Sequence, residues 1–228
     1  MKVEDLAVRG ATMRVRAVGL NRGFALVLLL GAVCTPSGNT PAAEAATTKT
    51  ADNAVTNATN FHLLDFVGWN NRDMDVFRRL HTADVKVELG DTKTEGIEAH
   101  VAGVRPPTPA TLDRRIVQHS PIVADGDWTC VVGISVRNDK LVTAAKWRDG
   151  AISEEYILTN QLKPGTPKPT ISGAPMITIS NQNANLKREV GAEPGWSCTM
   201  GRTADGKAVI SLTKRNDAAT ADELTFTQ

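Results

Sequence analysis

The sequence lacks any block of basic residues. Its 26 Lys+Arg stand against 25 Asp+Glu, for a formal net charge of +1. That balance argues against nucleic acid or an acidic membrane surface as partner. Beyond the first forty-odd residues it lacks an apolar run long enough to cross a bilayer, so no transmembrane segment is expected in a soluble mature chain. It has no glycine-rich phosphate loop and no G-x-S-x-G nucleophile elbow. Its four histidines, His62, His81, His100 and His119, show no metal-ligand spacing with each other or with cysteine, so neither metal nor cofactor is expected.

What is present begins with a leader. Lys2, Arg9, Arg14, Arg16 and Arg22 precede "FALVLLLGAV", an uncharged run too short to span a bilayer as a helix. "CTPSGNTPAAEAA" follows, with Ala43 and Ala45 in the small-x-small pattern of a cleavage site. Residues 1–45 read as a signal peptide, with Met13 as an alternative start, and the mature chain is expected to be periplasmic or secreted. A minority reading makes Cys34 a lipid anchor. Cys130 and Cys198 are the cysteines left after cleavage. An oxidising compartment allows a disulfide between them; two buried free thiols are the other reading.

Periodicity then gives the elements. Val55, Ala58, Leu63, Leu64, Phe66 and Val67 make the apolar face of a long helix over residues 54–69, after a frayed "TKTADNAVT". "NNRD" breaks it, and Asp73 caps a second helix lined by Met74, Phe77 and Leu80. "DVKVELGD" switches to a strand, with Val85, Val87 and Leu89 on one side. "EGIEAHVAGV" predicts a helix with Ile97, His100, Val101 and Val104 on one face, ended by "RPPTP". Strands follow at "RRIVQHSPIV", "WTCVVGISV", "KLVTAAKW" and "AISEEYIL", joined by turns at "ADGD", "RND" and "RDG". The fold class is α+β, with three N-terminal helices on one side of a curved antiparallel sheet. Residues 46–162 form this domain, residues 163–175 a proline-rich linker, and residues 176–228 a small β extension. In that extension "GWSCTMGRTADGKAVISLTK" is a hairpin and the polar end is loose.

"WNNRD", the "ADV" strand entry, "GIEAH" and "WRDGAISEEY" together resemble the SnoaL-like polyketide cyclase family, of the nuclear transport factor two-like superfamily, over about residues 55–161. The resemblance implies a cone: a curved sheet around an apolar hollow that encloses a small apolar or aromatic carbonyl-containing ligand. It implies acid–base cyclase, isomerase or hydrolase chemistry by an aspartate and a histidine. The alternative on the same fold is a non-catalytic ligand-binding or scaffold module. The family's aspartate has no counterpart on the apolar faces of the central strands, and Asp139 lies in a turn. Homodimerisation through the open sheet face is a further implication, unless the C-terminal extension covers that face.

Ionisable groups on apolar faces are the catalytic candidates, because desolvation moves their pKa. His100 is one, by helical spacing. Glu154 is another, alternating with Ile152, Tyr156 and Leu158, with pairing to Lys146 or Arg148 as its plainer role. His119 is the third, on a strand whose alternation does not give its direction. His81 is expected to sit quietly at a helix C-terminus. Trp69, Trp128, Trp147 and Tyr156 are the aromatics available to line a ligand site, or to fill core. Asn57 opens an "NAT" glycosylation sequon, but within a predicted helix.

Overall fold

The computed structural model describes residues 42–104, 114–215 and 222–228. Most of the expected signal peptide, Cys34 and the "RPPTP" stretch lie outside the described residues. Among the described residues no helix is long and apolar enough to cross a membrane.

Helix α1 (Ala42–Leu63) begins in a cluster of alanines, the strongest helix formers. "TKTADNAVT" is therefore helical, not frayed. The helix runs into a π-helical turn, Leu64–Trp69, and then α2 (Met74–Arg79), whose Asp73 cap accepts from the Val76 N–H at 3.0 Å as expected. Strand β1 (His81–Leu89), β2 (Thr92–Glu95) and α3 (Ile97–Gly103) follow. Gly96 enters α3 at φ 88°, a conformation that suits glycine, and its N–H donates to the Val85 carbonyl at 2.8 Å. That bond ties α3 to β1.

The four expected strands are β3 (Ile116–Asp125), β4 (Trp128–Ser135), β5 (Lys140–Arg148) and β6 (Ala151–Leu158), an antiparallel meander. Strand β1 joins β6 in parallel, so the sheet, in the order β2-β1-β6-β5-β4-β3, is mixed rather than wholly antiparallel. The long path from β1 through α3 and the meander is what permits a parallel neighbour. Register shifts in β1, β3 and the β5–β6 pair bend the sheet.

One face of this sheet meets the helices. Val85, Val87, Val131, Ala145, Trp147 and Ile152 pack there against Ala58, Phe61, Leu64, Phe77 and Leu80. Asn70 closes the end of this layer: its side chain donates to the Ile116 carbonyl at 2.7 Å and accepts from the Ile116 N–H at 2.9 Å. The conspicuous "WNNRD" helix end thus clips the edge strand β3. Asn57 is buried and donates to the Gly126 carbonyl at 3.3 Å, so the sequon's asparagine is a structural hook.

The opposite face is covered by the C-terminal extension. It supplies β8 (Ile177–Ser180), β9 (Trp196–Arg202), β10 (Ala208–Lys214) and β11 (Asp222–Thr227), and the end of the preceding domain adds β7 (Asn160–Gln161). Together they form a second antiparallel sheet in the order β7-β11-β10-β9-β8. The expected hairpin is β9–β10, while the chain end, expected to be loose, is strand β11. Cys130, Val132, Val142, Ala144 and Leu158 pack against Met200, Ile210, Leu212 and Phe226. Cys130 and Cys198 are joined by a disulfide across this interface. The extension therefore takes the sheet face through which dimerisation was expected.

Between β8 and β9 the chain crosses to the helix side as α4 (Ala184–Val190), where Leu186 and Val190 join the helix-layer core. Asn181 anchors the crossing. It accepts from the Ala124 N–H at 3.0 Å and donates to the carbonyls of Ile122 at 2.6 Å and Glu193 at 2.9 Å.

Candidate functional site

The helix-facing side of the sheet carries two clusters of ionisable side chains. The first lies where the π-helical turn passes β3. A π turn adds one residue to the helical repeat and re-aims the side chains it carries. Here it leaves Leu64 in the core and brings Asp65 to the sheet. Asp65 Oδ2 lies 2.9 Å from His119 Nε2. The His119 side chain is 1% exposed and that of Asp65 16%, so the pair is desolvated without being sealed.

The imidazole of His119 sits in a box of rings. It stacks on Phe66 at 4.6 Å between centroids and meets Phe61 edge-on at 5.6 Å. The His62 ring is 4.8 Å away. With Asp65 ionised, His119 donates its Nε2–H to the carboxylate, which leaves Nδ1 with a lone pair. That Nδ1 is buried and has no hydrogen-bond partner, and neither has the buried His62 Nε2. Burial, reinforced by the His119 ring, pulls the pKa of His62 down to about 4. His62 is accordingly neutral at physiological pH. The arrangement is an oriented imidazole base beside a second, neutral imidazole that can donate a hydrogen bond.

The second cluster lies at the other end of the sheet, under α2 and α3. Glu155 on β6 is buried between His81 on β1 and His100 on α3. Its Oε2 is 3.7 Å from His81 Nε2 and 3.5 Å from His100 Nε2. His81 donates Nδ1–H to the Phe77 carbonyl at 2.7 Å. Burial lowers the pKa of His100, with Glu155 pulling the other way and His81 adding to the depression. Burial pushes Glu155 up, but the two histidines outweigh it and hold the carboxyl below its usual range. Two imidazoles and a carboxylate within 4.8 Å of one another are a donor set suited to a divalent ion. Spacing along the chain gave no sign of it.

His100 faces inward as expected, and His119 does too. Glu154 does not join either of them. The β5–β6 register places Lys146 opposite Glu154 and Trp147 opposite Ile152, so Ser153 is an extra residue. This bulge reverses the alternation after Ile152 and turns Glu155, not Glu154, toward the helices. Glu154 instead accepts from Lys146 Nζ at 3.1 Å and from the Tyr156 hydroxyl at 3.2 Å. It lines an open, polar groove of about 330 Å³ with Asp84, Lys86, Asp127 and Arg148.

The four candidate aromatics do not share one hollow. Trp147 is buried on the helix side, edge-on to Phe61 at 6.4 Å, with its Nε1–H donated to Thr129 Oγ1 at 3.0 Å. Trp69 packs partly buried on the same side, with the Arg72 guanidinium 4.1 Å from its ring centroid. Trp128 and Tyr156 belong to the opposite core, between the sheets. Burial there, with the neighbouring Glu154 charge, pushes the Tyr156 hydroxyl up to about 12. Asp65, His62, His81 and Glu155 are the ionisable residues that sequence reasoning did not place in a site. His81 was assigned to a helix end, and its Phe77 bond does cap that end; its contact with Glu155 had no local signal.

Helices pack on one face of a bent sheet whose strand order places β1 beside β6, an arrangement similar to the nuclear transport factor two-like cone. No family model and no curated protein matches the sequence. Similar solved structures include a protein named as a ketosteroid isomerase from Kribbella flavida, 18% identical with a TM-score of 0.41, covering 56% of this chain and 94% of that one. A polyketide cyclase by name from Sinorhizobium meliloti is 18% identical with a TM-score of 0.37, covering 43% and 93% respectively. One named as a SnoaL-like polyketide cyclase from Jannaschia is 18% identical with a TM-score of 0.34, covering 54% and 90%.

Proposed function

We propose that this is an exported acid–base enzyme acting on a small apolar or aromatic carbonyl compound, with His119 as the base. The observation that carries the reading is the Asp65–His119 pair, held at 2.9 Å with the far ring nitrogen buried and unpartnered. A carboxylate on one nitrogen fixes the tautomer and steadies the imidazolium that forms when the other nitrogen takes a proton. In the proposed step Nδ1 of His119 removes a proton from the carbon next to a carbonyl. The electron pair moves to the carbonyl oxygen, and neutral His62 donates a hydrogen bond to the resulting enolate. Return of the proton to a different atom completes an isomerisation. The phenylalanines around His119 favour an apolar or aromatic substrate. A buried disulfide is in keeping with an oxidising compartment, which supports export.

The test is α-proton exchange of 2-tetralone in D2O, followed by proton NMR with the full chain. Exchange is expected to exceed the buffer rate, and His119→Ala or Asp65→Asn should lower it by about 10²–10⁴-fold. Exchange at the buffer rate with wild-type protein overturns the enzyme reading. Trp147 and Phe61 favour a second reading, because they fill space on the same sheet face. On that reading the domain binds a small molecule without turnover, and native mass spectrometry of protein from its own host would find the ligand retained unchanged. Fractionation of that host should place the chain outside the cytoplasm; retention inside would contradict export.

A further inference from the structure

Glu155 and His81 present an electrostatic problem that the acid–base reading does not use. The Phe77 carbonyl can only accept, so His81 Nδ1 carries the hydrogen in their 2.7 Å bond. A neutral ring then turns the lone pair of Nε2 toward the Glu155 carboxylate. Both Nε2 of His81 and Oε2 of Glu155 are buried and lack hydrogen-bond partners. A lone pair facing an anion 3.7 Å away in a desolvated space is repulsive. Something positive is needed between them, either a proton on His81 Nε2 or a metal ion.

His100 supplies the third corner, with Nε2 3.5 Å from the same carboxylate oxygen. We infer that His81, His100 and Glu155 bind a divalent transition-metal ion of the Zn2+ type. Bonds of 2.0–2.1 Å in tetrahedral geometry set neighbouring ligand atoms about 3.3 Å apart, so the two histidine–glutamate gaps need to close by only a few tenths of an ångström. The bond from His81 Nδ1 to a backbone carbonyl is the usual second-layer support for a metal-bound histidine, fixing ring orientation and raising basicity. Three rigid elements hold the donors: β1, β6 and α3, the last tied down by Gly96 to β1 and by the Arg78–Glu98 pair to α2. His100 is the most exposed of the three, its side chain at 14%. A fourth coordination position would therefore open toward α3. Two imidazoles with one carboxylate and an open position suit water or a small anion as fourth ligand.

The site is independent of the Asp65–His119 pair, and so is its test. The full chain, purified without a histidine tag and stripped with chelator, would be titrated with Zn2+ by calorimetry and with Co2+ by visible absorption. Wild-type protein is expected to take up one equivalent of each, with ligand-field bands from Co2+ and a raised melting temperature with Zn2+. His100→Ala and Glu155→Gln should weaken binding by about 10-fold or more, since even outer partners of a metal ligand carry that much. Failure of wild-type protein to bind would overturn the inference and leave the three groups as a buried ion-paired cluster. Unchanged affinity in a folded His100→Ala would do the same, by placing the ion elsewhere. Should either variant fail to fold, X-ray absorption of the zinc-loaded wild type decides. Two imidazole nitrogens and a carboxylate oxygen, with or without a water or small anion as fourth ligand, support the site, and any other protein donor set rejects it.

Discussion

Replacing Cys130 and Cys198 together by alanine tests how the two sheets are held. The cysteines lie in β4 and β9, both fully buried, and close a loop with a sequence separation of 68. In the chain-entropy treatment such a loop restricts the unfolded chain by about 4 kcal/mol. The inter-sheet core of Met200, Ile210, Leu212 and Phe226 remains after the substitution. The double variant should therefore still fold, but with stability reduced by about 4 kcal/mol. With a urea slope of about 2 kcal/mol per molar, the unfolding midpoint falls by about 2 M. Urea titration followed by tryptophan fluorescence measures this, because Trp196 and Trp128 lie at the same interface. Wild-type protein unfolded in reductant should give a drop of similar size. A midpoint shift below about 0.5 M in both would refute the view that the crosslink clamps the extension to the cone.

Three further outcomes follow from named contacts. Asn181→Ala strands the Ala124 N–H and the carbonyls of Ile122 and Glu193; a loss of about 2–3 kcal/mol is expected in chemical denaturation, and a loss under about 0.5 kcal/mol would deny Asn181 its anchoring role. His62 is held neutral by burial, with a pKa of about 4 against 6.5 ordinarily. The unfolded chain therefore binds the extra proton first, and the contribution, full above pH 6.5, is lost as pH falls toward 4. Discounted for partial exposure, it amounts to about 1–2 kcal/mol. His62→Phe should flatten the stability profile in that window, and an unchanged slope would contradict the assignment. Glu154→Gln breaks only a half-exposed pair with Lys146 and a bond from Tyr156. Its stability change should stay within about 1 kcal/mol, and ketone exchange should be unaltered; a large loss of exchange would return Glu154 to the active site.

Much of the cone could be read from periodicity. The faces of β4 and β5, the inward turn of α3 and the Asp73 cap all follow from spacing, because each element there is regular. The sites were less legible, for reasons that are local and physical. Alternation points to Glu154 rather than Glu155, because a bulge leaves the run of residue types unchanged while its single extra residue, Ser153, inverts which side chains face inward. The direction of His119 was hidden by two register shifts in β3. Asp65 lies on what reads as an ordinary amphipathic helix; only a π turn carries its side chain to β3. The strands offer no aspartate on their apolar faces, and the carboxylate beside His119 comes from a helix instead. His81 and Glu155 come from strands that pair in parallel, a contact that no local pattern encodes. The extension looks like little more than a hairpin because β7 and β8 are short and lie on either side of a proline-rich run, and the segment of β11 is mostly polar, whereas it builds a sheet with a core of its own.

The most direct measurement is a long-range nitrogen–proton NMR spectrum of the histidine rings, recorded while 2-tetralone is added. In the free protein His119 should show Nε2 protonated and Nδ1 bare, and ligand should move the His119 and His62 signals while those of His81 and His100 stay in place. A His119 ring protonated at Nδ1, or signals indifferent to ligand, would contradict a base poised at the Asp65 pair.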